Sequence, residues 1–413
     1  MGIRGPSWWL NQREPLSTDV LADGGIAGSY DGKSWSYAGR SPVQFAEERI
    51  AFGPERVLLT ADDAFDLRTL SDERMNGSPF HRLSFSWRGA SCILTINART
   101  NLPWSIAWTR AYPFDVFYNA WGDVDTTLTY NGWTLEPGGI HYPREWTYER
   151  VGLPDRQMAI IALSFNDAAS GAMTLPPSLI AAHAVAQTVD DAPFARQGET
   201  RLAEGVTLIP GAWNVAFIAQ SDGVVMIEAP ISGGYVQQAL AYAGAHFRLP
   251  VKAVITTSDS WPHIAGVREA VARGIAVYAL DLNQPILLRL LAAPHRLHPD
   301  ELQRRPRAPR FVWVGAPLQV DDRQNPLRIV PYRTATGERQ MMVYLPKAHL
   351  LYTSDLFAPD AVNADGTART WFTPQYLDEA ITAIDREKLG PVTVWGMHYG
   401  PTPYSQLLKA RAL

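Results

Sequence analysis

Residues 251–278 read VKAVITTSDSWPHIAGVREAVARGIAVY, and they carry the clearest structural pattern in the chain. The apolar run Val251–Thr256 is rich in β-branched residues, which predicts a buried strand. A polar loop follows, and then Ile264–Arg273 has the apolar spacing of an amphipathic helix that Gly274 would terminate. Ile275–Leu280 predicts the next strand. This alternation is typical of a layered α/β domain.

The same alternation of strands and helices extends through residues 201–413. Further strands are predicted at Val206–Leu208, Val215–Ala219, Val224–Glu228, Arg310–Val314, Arg328–Val330, Met341–Tyr344, His349–Thr353 and Val392–Trp395. Further helices are predicted at Gly234–Phe247, Pro285–Leu291 and Pro374–Glu387.

The first half of the chain predicts an antiparallel β-rich domain instead. From Val57 onward, short alternating or apolar runs are separated by turn-forming residues. Asn131 and Gly132 predict a hairpin turn, and Glu136–Gly139 predicts another. Predicted strands include Arg82–Trp87, Ser91–Ile96, Trp104–Trp108, Val116–Tyr118, Thr126–Tyr130, Arg144–Arg150 and Met158–Phe165. Most of the 14 tryptophans also lie in this half, which indicates aromatic sheet faces.

A length of 413 residues exceeds what one hydrophobic core usually occupies, so we expect two domains. The segment Ala168–Gln197 is rich in Ala, Pro and Asp, and we place the junction there. The predicted organisation is an N-terminal arm at 1–40, an antiparallel β-rich domain at 41–175, a linker at 176–200 and the α/β domain at 201–413.

Composition excludes several classes of function. A formal net charge of −4 with no basic cluster argues against a nucleic-acid partner. Cys92 is the only cysteine, so neither a disulfide nor a thiolate zinc site can form within the chain, and any metal must be bound by His, Asp or Glu. No apolar run approaches the ~20 residues of a membrane span. No apolar segment follows Met1, so we predict no signal peptide in this sequence.

The loop before the predicted helix, TTSDSWPH at 256–263, resembles the Thr-His-x-His-x-Asp-His motif of the metallo-β-lactamase superfamily. Ser258 and Ser260 stand where that motif has two histidines, and Pro262 stands where it has an aspartate. His263 stands at the last histidine. The resemblance therefore implies a degenerate motif that keeps one of four ligands.

Other parts of the family pattern occur in the expected order. Asn214–Glu228 resembles the first hairpin, and its last residue stands near a structural aspartate. Asp355, at the end of HLLYTSDLF, resembles a metal-bridging aspartate, and His398, in WGMHYGP, resembles the terminal histidine. The loop that should carry the third histidine, Val330–Met341, contains none, and Thr336 or a neighbour stands there.

Both halves of the chain are similar to a divergent bacterial branch of this superfamily, in which a β-rich region precedes the domain. The second half matches through TSDSWPH, and the first through LTYNGWTLEPGGIHYP at 128–143. The resemblance implies a four-layer αβ/βα sandwich behind an antiparallel β-rich domain. It also suggests an exported or periplasmic mature protein, although the sequence itself leaves the location open.

The resemblance implies a metal site made of His263, Asp355 and His398. The three-histidine site of the family is lost, so at most one zinc, iron or manganese ion would be held. Asp259, four residues before His263, is a candidate for the missing carboxylate and for a catalytic role. Three protein ligands plus water suit hydrolysis of an ester, a lactone or a similar bond.

Three alternatives stay open at this point. The protein could be a non-catalytic relative that binds a small molecule or a protein partner without metal. A polar run from Ser258 to Ser260 before a proline also suits a helix start, with capping as the simple role of Asp259. In a serine mechanism His263 would activate Ser258 or Ser260, but no Gly-x-Ser-x-Gly elbow is present.

Two arginines in the loop that lacks the histidine are candidate substrate residues. Arg333 and Arg339 could hold an anionic group of a small-molecule substrate, although solvated loop arginines are common. Ser258 and Ser260 are substrate candidates on the same grounds of position. The substrate and the oligomeric state are not determined by these residues.

Overall fold

The computed structural model describes residues 18–22, 26–30, 34–37, 39–161, 163, 165, 175–184, 187–356 and 374–411. Its contacts divide the chain into two compact units: Met1–Asp115 with Trp121–Gln187, and Val116–Ala120 with Thr188–Leu413. Residues 1–17 of the predicted arm and 168–174 of the predicted junction lie outside the described residues. The predicted domain boundaries stay predictions.

The first unit consists mainly of antiparallel strands. In its described part, β1 (Thr18–Ala22), β2 (Ile26–Tyr30) and β3 (Trp35–Tyr37) form one sheet. Helices α1 (Arg40–Ala51) and α2 (Val57–Asp62) follow. A sequential seven-stranded meander contains β4 (Arg68–Met75), β5 (Ser78–Trp87), β6 (Ala90–Asn97), β7 (Pro103–Arg110), β8 (Val124–Glu136), β9 (Ile140–Arg150) and β10 (Leu153–Ala159). Helix α3 spans Pro177–Ala184. The meander confirms the predicted β-rich architecture.

Two local predictions for the first half of the chain are wrong. Strand β8 continues through Asn131 and Gly132 to Glu136, so the first predicted hairpin turn does not exist. The chain reverses at Gly138 and Gly139, whose φ values of 84° and 78° are readily adopted only by glycine. Val116–Tyr118 is not a strand but a turn that leads into a short 3₁₀ helix.

The core of the first unit lies between the meander and the helices α1 and α2. Phe52 and Val57 from the helical side pack with Leu94, Trp108 and Trp146 from the sheet. This agrees with the aromatic sheet faces predicted from tryptophan clustering. The single cysteine is buried in the same core, and burial raises the pKa of its thiol to about 12.

One sheet of the second unit begins antiparallel and ends parallel. Its strands, in spatial order, are β11 (Thr200–Ala203), β12 (Val206–Ile209), β13 (Val215–Gln220), β14 (Gly223–Ile227), β15 (Val251–Ile255), β16 (Ala276–Leu280) and β17 (Arg310–Val314). The pairs from β14 to β17 are parallel. Their connections contain α4 (Gly233–Phe247), α5 (Trp261–Ile264), α6 (Val267–Ala272), α7 (Gln284–Ala292) and α8 (Glu301–Arg304).

The second sheet of this unit is antiparallel apart from one parallel pair, β21 with β22. Its strands are β18 (Leu318–Val320), β19 (Leu327–Tyr332), β20 (Gln340–Leu345), β21 (Leu350–Tyr352), β22 (Thr393–Trp395) and β23 (Thr402–Pro403). Helices α9 (Pro374–Arg386) and α10 (Tyr404–Arg411) belong to this half.

The two sheets face each other across one buried core. Ile227 and Ile255 of the first sheet contribute to it together with Val343 and Trp395 of the second. Helices α4 and α6 contact β15 and β16, whereas α9 and α10 pack on the opposite face of the second sheet. The layer order is αβ/βα, which confirms the predicted fold class. No helix in the described ranges is long and apolar enough to span a membrane.

The predicted helix Ile264–Arg273 is divided in two at Gly266. A Cβ atom on Gly266 would lie 2.2 Å from a methyl group of Val236 and 2.8 Å from the carbonyl oxygen of Ser232. Helix α4 therefore approaches this backbone too closely for any side chain. The break leaves α5 as a single short turn that carries His263.

Candidate metal centre

Three side chains from distant parts of the chain converge in the second unit. His263 lies on α5, Asp355 follows β21 and His398 follows β22. His263 Nε2 is 3.0 Å from Asp355 Oδ2, and His398 Nε2 is 3.4 Å from Asp355 Oδ1. One ligand atom from each residue lies within 4.8 Å of the others. The structure thus brings together the three residues singled out from the sequence.

Asp355 is positioned by the end of β21. The Thr353 N–H donates to the Trp395 carbonyl at 2.9 Å, and Ser354 adopts a left-handed φ of 52° that turns the chain. The Asp355 N–H then donates to Gln340 Oε1 at 3.2 Å. Among the described residues, no group forms a hydrogen bond to the buried Asp355 Oδ1, and His398 Nε2 lies 3.4 Å from this oxygen.

His398 is positioned by a loop that Asn214 holds. Asn214 Nδ2 lies 2.9 Å from the Gly396 carbonyl and 3.0 Å from the Tyr399 carbonyl. His398 Nδ1 is 2.7 Å from the Ala212 carbonyl. A carbonyl can only accept, so Nδ1 carries the proton and Nε2 keeps its lone pair in the neutral ring. That lone pair faces Asp355.

His263 is almost completely buried, with 1% of its surface exposed. Its Nδ1 lies 3.1 Å from Ser258 Oγ, and its Nε2 faces Asp355. Burial lowers the pKa of His263, but the hydrogen bond and the charge of Asp355 outweigh burial, so the pKa is raised above its ordinary value. The charge of Glu228 acts in the same direction.

Glu228 lies behind the site and is fully buried. Its Oε1 accepts from the Thr257 N–H and from the Tyr352 hydroxyl, each at 3.2 Å, and it also contacts the Thr257 hydroxyl. Burial raises the pKa of Glu228 to about 7, although His263 and the Thr257 hydrogen bond oppose the increase. This carboxylate therefore holds the start of the loop that leads to His263.

The remaining sequence candidates lie in other contacts. Asp259 is not part of the three-residue group, and its Oδ2 lies 3.7 Å from Arg339 Nε. Burial raises the pKa of Asp259, and Arg339 opposes that increase. Arg339 also donates to the Leu282 carbonyl at 2.6 Å. Arg333 donates to Asp281 Oδ1 at 2.8 Å. Arg339 thus forms an ion pair with the 258–263 loop, whereas the ion pair of Arg333 is with Asp281.

The residues at the positions where the resembling motif has histidines form other hydrogen bonds. Ser258 is buried, and its Oγ accepts from the Ser260 N–H at 3.0 Å. Ser260 is the N-cap residue of α5, with Pro262 in the first turn, so the helix starts where the polar run predicts; the Ser260 side chain makes no capping bond. The N–H and hydroxyl of Thr336 donate to Glu379 Oε2 at 3.0 and 2.7 Å.

The three converging side chains suit one divalent ion. Two imidazole nitrogens and a carboxylate oxygen are common ligands of zinc, iron and manganese. Ligands at about 2.1 Å around a tetrahedral zinc lie about 3.4 Å apart, so the observed 3.0 and 3.4 Å separations need little change. Asp355 Oδ1, for which the described residues supply no hydrogen bond, is the group that such an ion would satisfy. Both outer Nδ1 atoms already have partners, as metal-binding histidines usually do.

Sequence reasoning missed several residues around the site. The role of Asn214 depends on a carbonyl 182 residues later in the chain, and no local pattern reveals such a contact. Tyr376 on α9 was missed too; burial raises its pKa, as does the negative charge of Asp355. Trp261 also escaped notice, and its ring meets Tyr118 edge-on with centroids 5.5 Å apart.

Solved metallo-β-lactamase structures match about half of this chain. One from Erythrobacter litoralis, with β-mercaptoethanol in its active site, is 16% identical over 54% of this chain and 98% of its own, with a TM-score of 0.39. FIM-1 from Pseudomonas aeruginosa in its mono-zinc form is 13% identical over 54% and 96%, with a TM-score of 0.41. The sec-alkylsulfatase Pisa1 from Pseudomonas sp. is 15% identical over 52% of this chain and 41% of its own, with a TM-score of 0.38. No protein-family model and no curated protein sequence matches the chain.

Proposed function

We propose that this protein is a hydrolase that uses one divalent metal ion, held by His263, Asp355 and His398, to cleave an ester, a lactone or a similar bond. The observation that carries the proposal is the arrangement of the donors. Both Nε2 atoms face the same carboxylate, within a group whose ligand atoms lie within 4.8 Å of one another. A divalent ion held there would supply Lewis acidity, which makes water a better nucleophile and polarises a carbonyl.

The exposure of the three residues defines how a substrate would approach. The His398 side chain is 43% exposed, whereas that of His263 is 1% exposed. Substrate would therefore enter beside His398, while His263 anchors the buried side and excludes water from it. The shared carboxylate of Asp355 orients both rings.

Arg339 is the residue best placed to hold an anionic substrate group. Its side chain is 47% exposed, and its ion pair with Asp259 is long, at 3.7 Å. An exposed pair of this kind is weak, so a substrate carboxylate could replace Asp259 at small cost. We therefore include acidic esters and lactones in the proposed substrate range.

Metal analysis of protein purified without chelators tests the proposal. We expect about one equivalent of zinc, iron or manganese in the native protein, because three donors converge, and loss of that metal in His263→Ala and His398→Ala. His81→Ala is a matched control, since His81 also lies 3.0 Å from a carboxylate, that of Asp72, but belongs to the first unit. Chelator-sensitive hydrolysis of an ester and lactone panel should follow the metal content.

The proposal fails if the native protein, supplied with each of the three metals, contains none. It also fails if the two histidine variants, still folded by circular dichroism, hold as much metal as the His81 control.

A further inference from the structure

We infer that the second unit binds a free medium-chain fatty acid in a groove beside helix α4, with the carboxylate held by a group of arginines. The groove lies between one face of α4 and the segment formed by residues 249–251 and Ile275, and it has a volume of about 450 Å³. We call it the α4 groove. Binding there is separate from the proposed hydrolysis and does not require a metal ion.

The α4 groove and the candidate metal centre lie at opposite ends of the same strands. Strands β15 and β16 are parallel, and the groove includes Val251, the first residue of β15, and Ile275, which directly precedes β16. The loop that carries His263 follows the other end of β15. A strand of five residues is about 16 Å long. A ligand in the groove would therefore not contact the metal centre.

One face of α4 forms the first wall of the groove. Gln237, Leu240, Ala241 and Gly244 line it, and their spacing of three and four residues places them on the same side of the helix. Ala241 and Gly244 are exposed. A Cβ atom on Gly244 would meet no other atom within 4 Å, so the groove has open space at this point of the helix.

The lining of the groove is mostly apolar. Residues 249–251 are Leu, Pro and Val, and they form the second wall together with Ile275. The polar side chains of the lining are Gln237 and Arg273, and no carboxylate of a described residue belongs to it. An apolar lining with few polar groups is typical of small-molecule sites, whose volumes are about 300–1,000 Å³. An alkyl chain would be stabilised here because its apolar surface leaves water.

Three arginines surround Gly274, which lies between the lining residues Arg273 and Ile275. Arg273 Nε is 2.8 Å from Glu269 Oε1. The guanidinium group of Arg307 occupies the space that a side chain on Gly274 would take, and Arg310 Nη1 donates to the Gly274 carbonyl at 3.3 Å. Neither Arg307 nor Arg310 forms an ion pair with a described residue. This end of the groove therefore favours an anion, and guanidinium groups match the geometry of a carboxylate.

The size of the groove favours a small molecule over a protein partner. The face of α4 from Gln237 to Gly244 is about 10 Å long and about 10 Å wide. A specific protein interface buries about 800 Å² on each partner, which is far more than such a strip offers. A single alkyl chain with a terminal carboxylate matches the length, the apolar walls and the positive end of the groove. A fatty acid is the ligand with this combination.

Isothermal titration calorimetry with decanoate tests the inference. Chelator is present throughout, so that the carboxylate cannot bind a metal ion. We expect saturable binding of one decanoate to the native protein, and binding of decan-1-ol about tenfold weaker, because the alcohol lacks the charge that the arginines attract.

A substitution at Gly244 tests the position of the alkyl chain. Gly244→Leu should weaken decanoate binding about tenfold or more, since its side chain enters the open space and displacing even two methylene groups has that effect. Leucine is a better helix former than glycine, so the variant should fold at least as stably. Ala245→Leu is the matched control, because it adds the same side chain to an exposed position of α4 outside the lining.

A substitution at Arg307 tests the position of the carboxylate. Arg307→Gln should weaken decanoate binding about fivefold, the effect expected for an exposed charge pair, and should leave decan-1-ol binding unchanged. Arg305→Gln is the control, since Arg305 lies two residues away and pairs with Glu301 at 3.3 Å.

Three results would overturn the inference. The first is the absence of saturable decanoate binding to the native protein. The second is equal decanoate affinity in Gly244→Leu and Ala245→Leu, which would place the ligand elsewhere. The third is a native dimer in analytical ultracentrifugation that Gly244→Leu disrupts, because a second copy of the chain would then occupy the groove. None of these results depends on metal binding, so the proposed hydrolase function is tested separately.

Discussion

Replacing Glu228 by Gln should make the second unit more stable at neutral and alkaline pH. Burial raises the pKa of this carboxyl from 4.5 to about 7. A raised folded-state pKa means that the stability contribution is fully present below pH 4.5 and is lost as the pH rises through 7. Gln has the shape of protonated Glu and keeps an acceptor for the Thr257 N–H and the Tyr352 hydroxyl.

The size of the effect follows from the shift. An increase from 4.5 to about 7, at 1.36 kcal/mol per unit, corresponds to about 3 kcal/mol once Glu228 is fully ionised. The native protein should therefore lose about 3 kcal/mol between pH 4.5 and pH 8 through Glu228, and Glu228→Gln should not. The unfolding free energy of Glu228→Gln should therefore increase relative to that of the native protein as the pH rises over this interval.

Urea unfolding at several pH values, followed by tryptophan fluorescence, measures this difference. Chelator is included so that metal binding does not contribute. The first unit is identical in both proteins, so a difference in unfolding free energy between them reports on the second unit. Parallel pH profiles for the native protein and Glu228→Gln, with a constant offset, would refute the assignment of a raised pKa to Glu228.

Two further substitutions test other parts of the structure. Asn214→Ala should weaken zinc binding about tenfold, measured by competition with a chromophoric chelator. The substitution removes the hydrogen bond to the Gly396 carbonyl and so loosens the loop that carries His398. Unchanged zinc affinity would contradict this role of Asn214. Glu48→Ala should cost about 3 kcal/mol of unfolding free energy in urea, because it removes the carboxylate 2.8 Å from the buried guanidinium of Arg150, which then keeps only the longer ion pair with Asp155, at 3.3 Å, as a charged contact among the described residues. A loss below about 1 kcal/mol would refute that role.

The central strands of the sandwich could be predicted because burial on both faces leaves a direct signal. All five residues of β14 are buried, and such strands are continuous apolar runs in the sequence. Helix α1 leaves no such signal. Its buried face includes Gln44 and Glu48 as well as Val43 and Ala51, so the apolar spacing of a helix is missing. The polar burial depends on Arg150, a hundred residues away, which local patterns do not reveal.

The candidate site, like the fold, could be predicted only in part. The motif order pointed to His263, Asp355 and His398, since each lies at the end of a strand or in the loop that follows one. The outer partners could not be predicted. Ser258 is only five residues from His263, yet whether its hydroxyl would cap a helix or contact the ring depends on where α5 begins, and the structure puts that start at Trp261.

Backbone hydrogen bonds hold the loops that carry His263, Asp355 and His398 in place. The Met397 N–H donates to the Ser354 carbonyl at 3.0 Å, which ties the loop of His398 to the turn before Asp355. The Met341 N–H donates to the Thr257 carbonyl at 2.8 Å, which ties the loop of His263 to the second sheet. Both bonds join backbone groups, so they do not depend on the side chains of Ser258, Ser260 or Pro262. The proposed metal site would therefore be preorganised by the backbone.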